Sequence, residues 1–149
     1  MNLLTALKTK LLQALQILAK MKTMEPQIVT MLDKLCLGIR DFEGVPGDQN
    51  YRLNNPGNCR YFSGGYLPKY EPVKESSNGF AIFPSYQSGW EYLEAMITQR
   101  IQNHPDWSLL QFMENYAPYT DGNNPFVYAT FLAKRMQVDV SYPVKDILL

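Results

Sequence analysis

Apolar residues at Ile28, Met31, Leu32, Leu35, Ile39 and Phe42 recur at steps of three and four, the spacing of one face of an α-helix. Directly after them the chain reads Glu43-Gly44, then Pro46-Gly47, then Asn54-Asn55-Pro56-Gly57-Asn58. No helix runs through such a series, because glycine and proline stop it and asparagine favours tight turns. A helix must therefore end near Glu43 and hand over to an irregular segment. Pro26 suits a first helical turn, where its missing N–H costs nothing, so the pattern predicts a helix over Gln27 to Phe42. Its far end is an odd place for an acid. The negative end of the helix dipole repels a carboxylate and favours the protonated form. A glutamic acid that keeps its proton is what general acid catalysis requires; a solvated glutamate at a helix end is the commoner use of the residue.

The chain has 149 residues, enough for one compact domain and hardly for two. Hydrophobic residues make up 46% and charged ones 19%, which supports a packed core and argues against bulk disorder. The 14 basic and 14 acidic side chains cancel, but unevenly. Met1 to Lys22 holds Lys8, Lys10, Lys20 and Lys22 and no acid, leaving 10 basic against 14 acidic residues, or −4, for the remainder. An acidic body gives no basis for nucleic-acid binding.

The basic end has its own pattern. Leu4, Leu7, Leu11, Ala14, Leu18 and Met21 form a short heptad-like seam, which predicts an amphipathic helix over residues 1–24, ahead of a body at 25–149. Lys8 and Lys10 break the apolar run too early for a membrane span, and neither the flanking charges nor a small-residue cleavage site fit a signal peptide. Packing on the body, self-association through the seam and lying on an anionic membrane surface remain open for it.

Beyond the asparagine-rich stretch, Gly64, Gly65, Pro68 and Pro72 exclude a helix between Tyr61 and Ser77. Tyr61, Phe62, Tyr66 and Tyr70 in that loop either stack on a ligand in a cleft or close over the core. Gly79-Phe80-Ala81-Ile82-Phe83 reads as a short strand ended by Pro84. Ser85 is a helix cap for the run Trp90, Leu93, Ile97 and Ile101, and Asp106 or Ser108 caps the next helix, which Tyr116-Ala117-Pro118 stops. Asp121-Gly122-Asn123-Asn124-Pro125 opens a last helix, Phe126 to Gln137, with Tyr128 on its first turn. Cys36 and Cys59 are either a disulfide or two buried thiols. No metal-ligand spacing occurs, and the single histidine, His104, sits in a turn composition.

Glu43-Gly44 at a helix end, the segment Arg52-Leu53-Asn54-Asn55-Pro56-Gly57-Asn58-Cys59-Arg60, and Gly79 to Phe83 together resemble a known family. It is that of the lysozyme-like lytic transglycosylase and muramidase domains of phage and bacterial cell-wall enzymes, above all small phage-type domains. The resemblance covers roughly Leu35 to Val138. Leu53 and Cys59 depart from the family's polar and aliphatic choices at those places. It implies a mainly α, α+β lysozyme-like fold, in which a helical domain carries a small β-hairpin lining a glycan cleft. It implies Glu43 as the catalytic residue, Asn54, Asn55, Asn58 and Arg60 as substrate-binding residues, Phe80 and Ala81 as cleft residues, and Tyr128 as a partner aimed at Glu43. The implied partner is the peptidoglycan glycan strand, reached at the bacterial cell wall by a virion-associated or exported protein; no cofactor is implied.

Cleaving a β-1,4 bond between N-acetylmuramic acid and N-acetylglucosamine needs an acid that holds its proton near neutral pH. Ile39, Phe42 and the strand Phe80 to Phe83 are the apolar groups expected to desolvate Glu43. Hydrolysis through two carboxylates needs a second acid, but Asp41 faces elsewhere on the helix and Asp48 lies in the Pro46-Gly47 turn. A single glutamate favours the lytic transglycosylase route. The alternative is a non-catalytic glycan-binding or virion structural protein that keeps the cleft without turnover.

Overall fold

The computed structural model describes residues 29–61 and 74–149. The expected amphipathic helix at 1–24, the Pro26 helix start and the aromatic residues Phe62, Tyr66 and Tyr70 lie outside the described residues. Most of the described chain is helical, with one two-stranded antiparallel ladder.

The first helix, α1, spans Met31–Glu43 and starts at Met31, not Gln27. Its start is set by a reciprocal cap. The Thr30 hydroxyl accepts from the Asp33 N–H at 3.0 Å and the Asp33 carboxylate accepts from the Thr30 N–H at 2.8 Å. One short turn, α2, spans Gln49–Arg52. The chain then winds through the asparagine-rich loop, where Asn54 (φ 53°) and Asn58 (φ 45°) take the left-handed conformation that asparagine tolerates better than most residues.

Strand β1, Lys74–Glu75, pairs antiparallel with β2, Ala81–Ile82, in the register Lys74 to Ile82 and Glu75 to Ala81. The expected strand from Gly79 to Phe83 is thus shorter, because only part of it faces a partner strand. Its other edge bonds to the asparagine-rich loop: Ala81 N–H donates to the Cys59 carbonyl at 3.0 Å and Phe83 N–H to the Leu53 carbonyl at 3.1 Å. Helix α3, Tyr86–Asn103, begins at Ser85 as expected, with a box between Ser85 and Ser88. Helix α4, Leu109–Tyr116, is capped by Ser108, not Asp106, and ends at Ala117 before Pro118. A 3-10 turn at Tyr119–Asp121 leads to α5, Pro125–Met136, whose cap is Asn124 and whose end is Gln137 in the left-handed region (φ 60°).

The inward faces of these helices make one core. Leu35, Cys36 and Ile39 meet Leu93, Ile97 and Ile101, Leu109, Phe112 and Met113, and Tyr128, Ala129 and Leu132. Helix α1 packs mainly on α5, with α3 beside it. At Gly38 a Cβ would lie 2.6 Å from Leu132 Cδ2, so the glycine is what lets α1 and α5 close up. Outside the core, Asp41 bridges Arg40 at 2.6 Å and Arg135 at 2.5 Å, linking α1 to α5. These half-exposed pairs are worth about 0–1 kcal/mol each. The apolar tail, a 3-10 turn at Val144–Leu148, buries Val144 and Ile147; Val144 N–H donates to the Trp107 carbonyl at 3.0 Å, and the tail closes the core against α1 and α3.

Candidate active site

Glu43 is the last residue of α1, so the helix delivers its side chain where the backbone turns away at Gly44. The side chain enters a cleft of about 320 Å³ that Asn58, Arg60, Phe80, Arg100, Tyr116 and Asp121 help to line. One carboxyl oxygen, Oε1, accepts from the Tyr128 hydroxyl at 2.8 Å, and the other, Oε2, accepts from Asn58 Nδ2 at 3.0 Å. Burial pushes the Glu43 carboxyl above the usual carboxylate range, and the bonds from Asn58 and Tyr128 oppose that rise by stabilising the anion. The acid is therefore biased toward its protonated form while two donors stand ready for the carboxylate.

Each donor is itself fixed. Tyr128 comes from the first turn of α5 and is 1% exposed. Its ring stacks on Phe42 at 3.8 Å and meets the edge of Tyr116 at 6.3 Å, and its hydroxyl also approaches the Ile39 carbonyl at 3.4 Å. Asn58 Oδ1 accepts from Gln49 Nε2 at 3.3 Å, which sets the amide so that its NH₂ faces Glu43. The apolar shell differs in part from the expected one. Phe42 and Phe80 do stand at the site, whereas Phe83 turns into the core against Tyr92.

The structure separates the expected ligand residues into two groups. Asn58, Arg60 and Phe80 line the cleft; the Arg60 guanidinium lies 4.4 Å over the Phe80 ring and donates to the Asn78 carbonyl at 3.2 Å. Asn54, Asn55 and Ala81 are framework and not ligand contacts. Asn55, 1% exposed, donates to the Cys59 and Ala81 carbonyls at 2.9 and 3.0 Å and accepts from the Cys59 N–H at 2.9 Å. Asn54 donates to the Phe83 carbonyl at 3.1 Å, and Ala81 is 1% exposed. With the Asn54 and Asn55 amides drawn to backbone, the loop is clamped onto the strand segment Ala81 to Phe83. Helix α3 closes on the same loop at Gly89, where a Cβ would lie 1.8 Å from the Asn54 carbonyl oxygen.

Several cleft residues had no signal of their own in the sequence. Tyr116 sits at a helix stop, yet its hydroxyl donates to the Gly57 carbonyl at 2.9 Å and its ring walls the cleft. Arg100 and Asn115, from α3 and α4, are joined by a 3.0 Å hydrogen bond. Asp121 and Asn123 belong to the turn that was legible only as a helix opener. The turn composition of Asp121 to Pro125 was the one usable hint, since carboxylates and amides on a loop beside a cleft often face ligands. Asp41 is spent on its two arginines, and Asp48 accepts from the Val45 N–H at 2.8 Å within its own turn.

Cys36 and Cys59 are free thiols. Cys59 lines the cleft, but burial pushes its thiol up to about 12, so it stays neutral and is no nucleophile at physiological pH. His104, at the end of α3, stacks on Trp107 at 3.8 Å and is not among the residues that line the cleft. Among the described residues no three His, Cys, Asp or Glu side chains converge as metal ligands. Family models, curated proteins and solved structures yield no match to this chain.

Proposed function

We propose that this chain is a lysozyme-like enzyme that cleaves the β-1,4 bond between N-acetylmuramic acid and N-acetylglucosamine in peptidoglycan, by the lytic transglycosylase route, with Glu43 as acid and then base. The observation that carries the reading is the state of Glu43: half-buried at the wall of a cleft, raised in pKa by that burial, and gripped by Tyr128 and Asn58. The cleft volume of about 320 Å³ lies at the lower end of small-molecule sites and suits a few sugar rings in an open trench.

The chemistry follows from the two opposing influences on the carboxyl. Burial raises the Glu43 pKa and so favours the protonated acid that donates to the glycosidic oxygen. Once the bond to the leaving N-acetylglucosamine breaks, the Tyr128 and Asn58 donors stabilise the carboxylate left behind. That carboxylate then takes the proton of the C6 hydroxyl as its oxygen attacks C1 of the same muramyl ring, closing a 1,6-anhydro product. The substrate supplies its own nucleophile, so one protein carboxyl suffices.

A second reading, hydrolysis, is favoured by one observation. Asp121 lines the cleft that holds Glu43 and could activate a water. Mass analysis of digested sacculi separates the two: 1,6-anhydro-muramyl ends are expected, and ordinary reducing ends overturn the transglycosylase route. Glu43→Gln is expected to lower release by about a hundredfold or more, the usual worth of a general acid. Equal release by parent and variant overturns the assignment of Glu43 altogether.

A further inference from the structure

The arginines of the described chain are mostly accounted for. Arg40 and Arg135 share Asp41, Arg52 donates to the Gly47 carbonyl at 2.9 Å, and Arg60 lies on Phe80. Arg100 differs. It is half-buried in the Glu43 cleft, and no ion pair joins it to a carboxylate among the described residues, although Asp121 lines the same cleft. A guanidinium partly withdrawn from water with no counter-charge paired to it is left able to take an anion that enters the cleft.

Its position is fixed. Arg100 stands in the last turn of α3, donates from Nη1 to Asn115 Oδ1 at 3.0 Å, and lies 5.6 Å from the Tyr116 ring centre. The Asn115 bond takes one face of the fork and the ring supports it, which pre-orients the guanidinium and lowers the entropy lost on binding. Its charge is felt inside the cleft, where it opposes the upward shifts of the Cys59 thiol and the Tyr116 hydroxyl.

We propose that Arg100, braced by Asn115 and Tyr116, is an anion subsite of the Glu43 cleft that takes a carboxylate carried by the muramyl unit of the glycan strand. The assignment rests on the glycan-cleaving reading above and deepens it by naming the charged group that is recognised. A planar fork matches a carboxylate in a way that neither a hydroxyl nor an amide of a neutral sugar does. The carboxylate has two chemical sources: the lactyl ether of a muramyl ring stripped of peptide, or the side and terminal carboxylates of the attached peptide.

Three substrates separate the sources: peptide-bearing glycan strands, strands stripped of peptide by an amidase so that lactyl carboxylates are free, and stripped strands whose carboxylates are capped as methylamides. The intact chain and its Arg100→Gln and Arg100→Lys variants are assayed on each, with thermal midpoints measured alongside. The parent is expected to favour a carboxylate-bearing strand over the capped one by about tenfold in kcat/KM, mostly through KM, as one charge-assisted contact implies. R100Q should erase that ratio and R100K restore part of it. A preference for the stripped free acid places the carboxylate on the lactyl group, and one confined to peptide-bearing strands places it on the peptide. Equal parent rates on all three, or an R100Q loss that leaves the ratio intact, overturns the subsite and makes Arg100 a tie between α3 and α4. A parent that cleaves none of the three overturns the glycosidase reading itself, a result distinct from uniform cleavage.

Discussion

Tyr128 donates its hydroxyl to Glu43 at 2.8 Å although the two residues stand 85 positions apart. The bond joins the end of α1 to the first turn of α5, the pair of helices whose close approach Gly38 allows. The acid is thereby held by the same packing that makes the core.

Tyr128→Phe removes that donor and leaves the ring in its stack with Phe42. The bond from Tyr128 lowers the Glu43 pKa, so its loss moves the carboxyl further up. The alkaline limb of the pH–rate profile, where the acid loses its proton, is expected to shift to higher pH, with kcat reduced about tenfold as the carboxylate formed in the reaction loses a partner. An unmoved limb means that Tyr128 does not tune Glu43.

Glu43→Gln has a consequence for stability as well as turnover. A carboxyl whose pKa is raised on folding binds its proton more tightly in the native state, so its favourable contribution is complete below the unfolded value and is lost as pH rises through the folded one. At neutral pH the ionised form is the strained one. The variant is expected to unfold at a higher temperature than the parent at pH 7 to 8, with the gap closing as pH falls below the ordinary glutamate value, about 4.3. A gap that persists at low pH assigns the gain to packing instead of ionisation.

Asn55→Ala tests whether that residue builds the cleft wall or touches ligand. Its amide satisfies two carbonyls and one N–H in a site sealed from water. Leaving such groups unpaired costs about 2–4 kcal/mol in all, to be read as a lower midpoint in denaturant. A rise in KM with unchanged stability contradicts the framework role.

Asp121→Asn bears on the reaction class. Under the transglycosylase route it is expected to keep at least about a tenth of the parent rate and the same 1,6-anhydro products, since no step needs a second carboxylate. A fall of about a hundredfold, together with reducing ends from the parent, makes Asp121 the water-activating base.

The mainly helical architecture and its joints were written in local sequence, because caps and turns depend on a few neighbouring residues. Ser85, Ser108 and Asn124 begin helices, Pro118 follows the end of one, and the apolar steps of three and four mark the faces that reach the core. The Thr30–Asp33 box was present in the same sense, a reciprocal cap that satisfies two backbone groups at once. Glu43 could be singled out for its place at a helix end.

Tertiary structure alone decided what surrounds Glu43. Asn54, Asn55 and Asn58 look alike as a motif, yet two face backbone and one faces the acid, a choice set by how α3 and β2 press on the loop. Arg100, Tyr116 and Asp121 come from three elements whose spacing says only that they are helix or turn residues. Their meeting at one cleft, like the burial that raises the Glu43 pKa, depends on contacts between distant parts of the chain, and local periodicity carries no record of those.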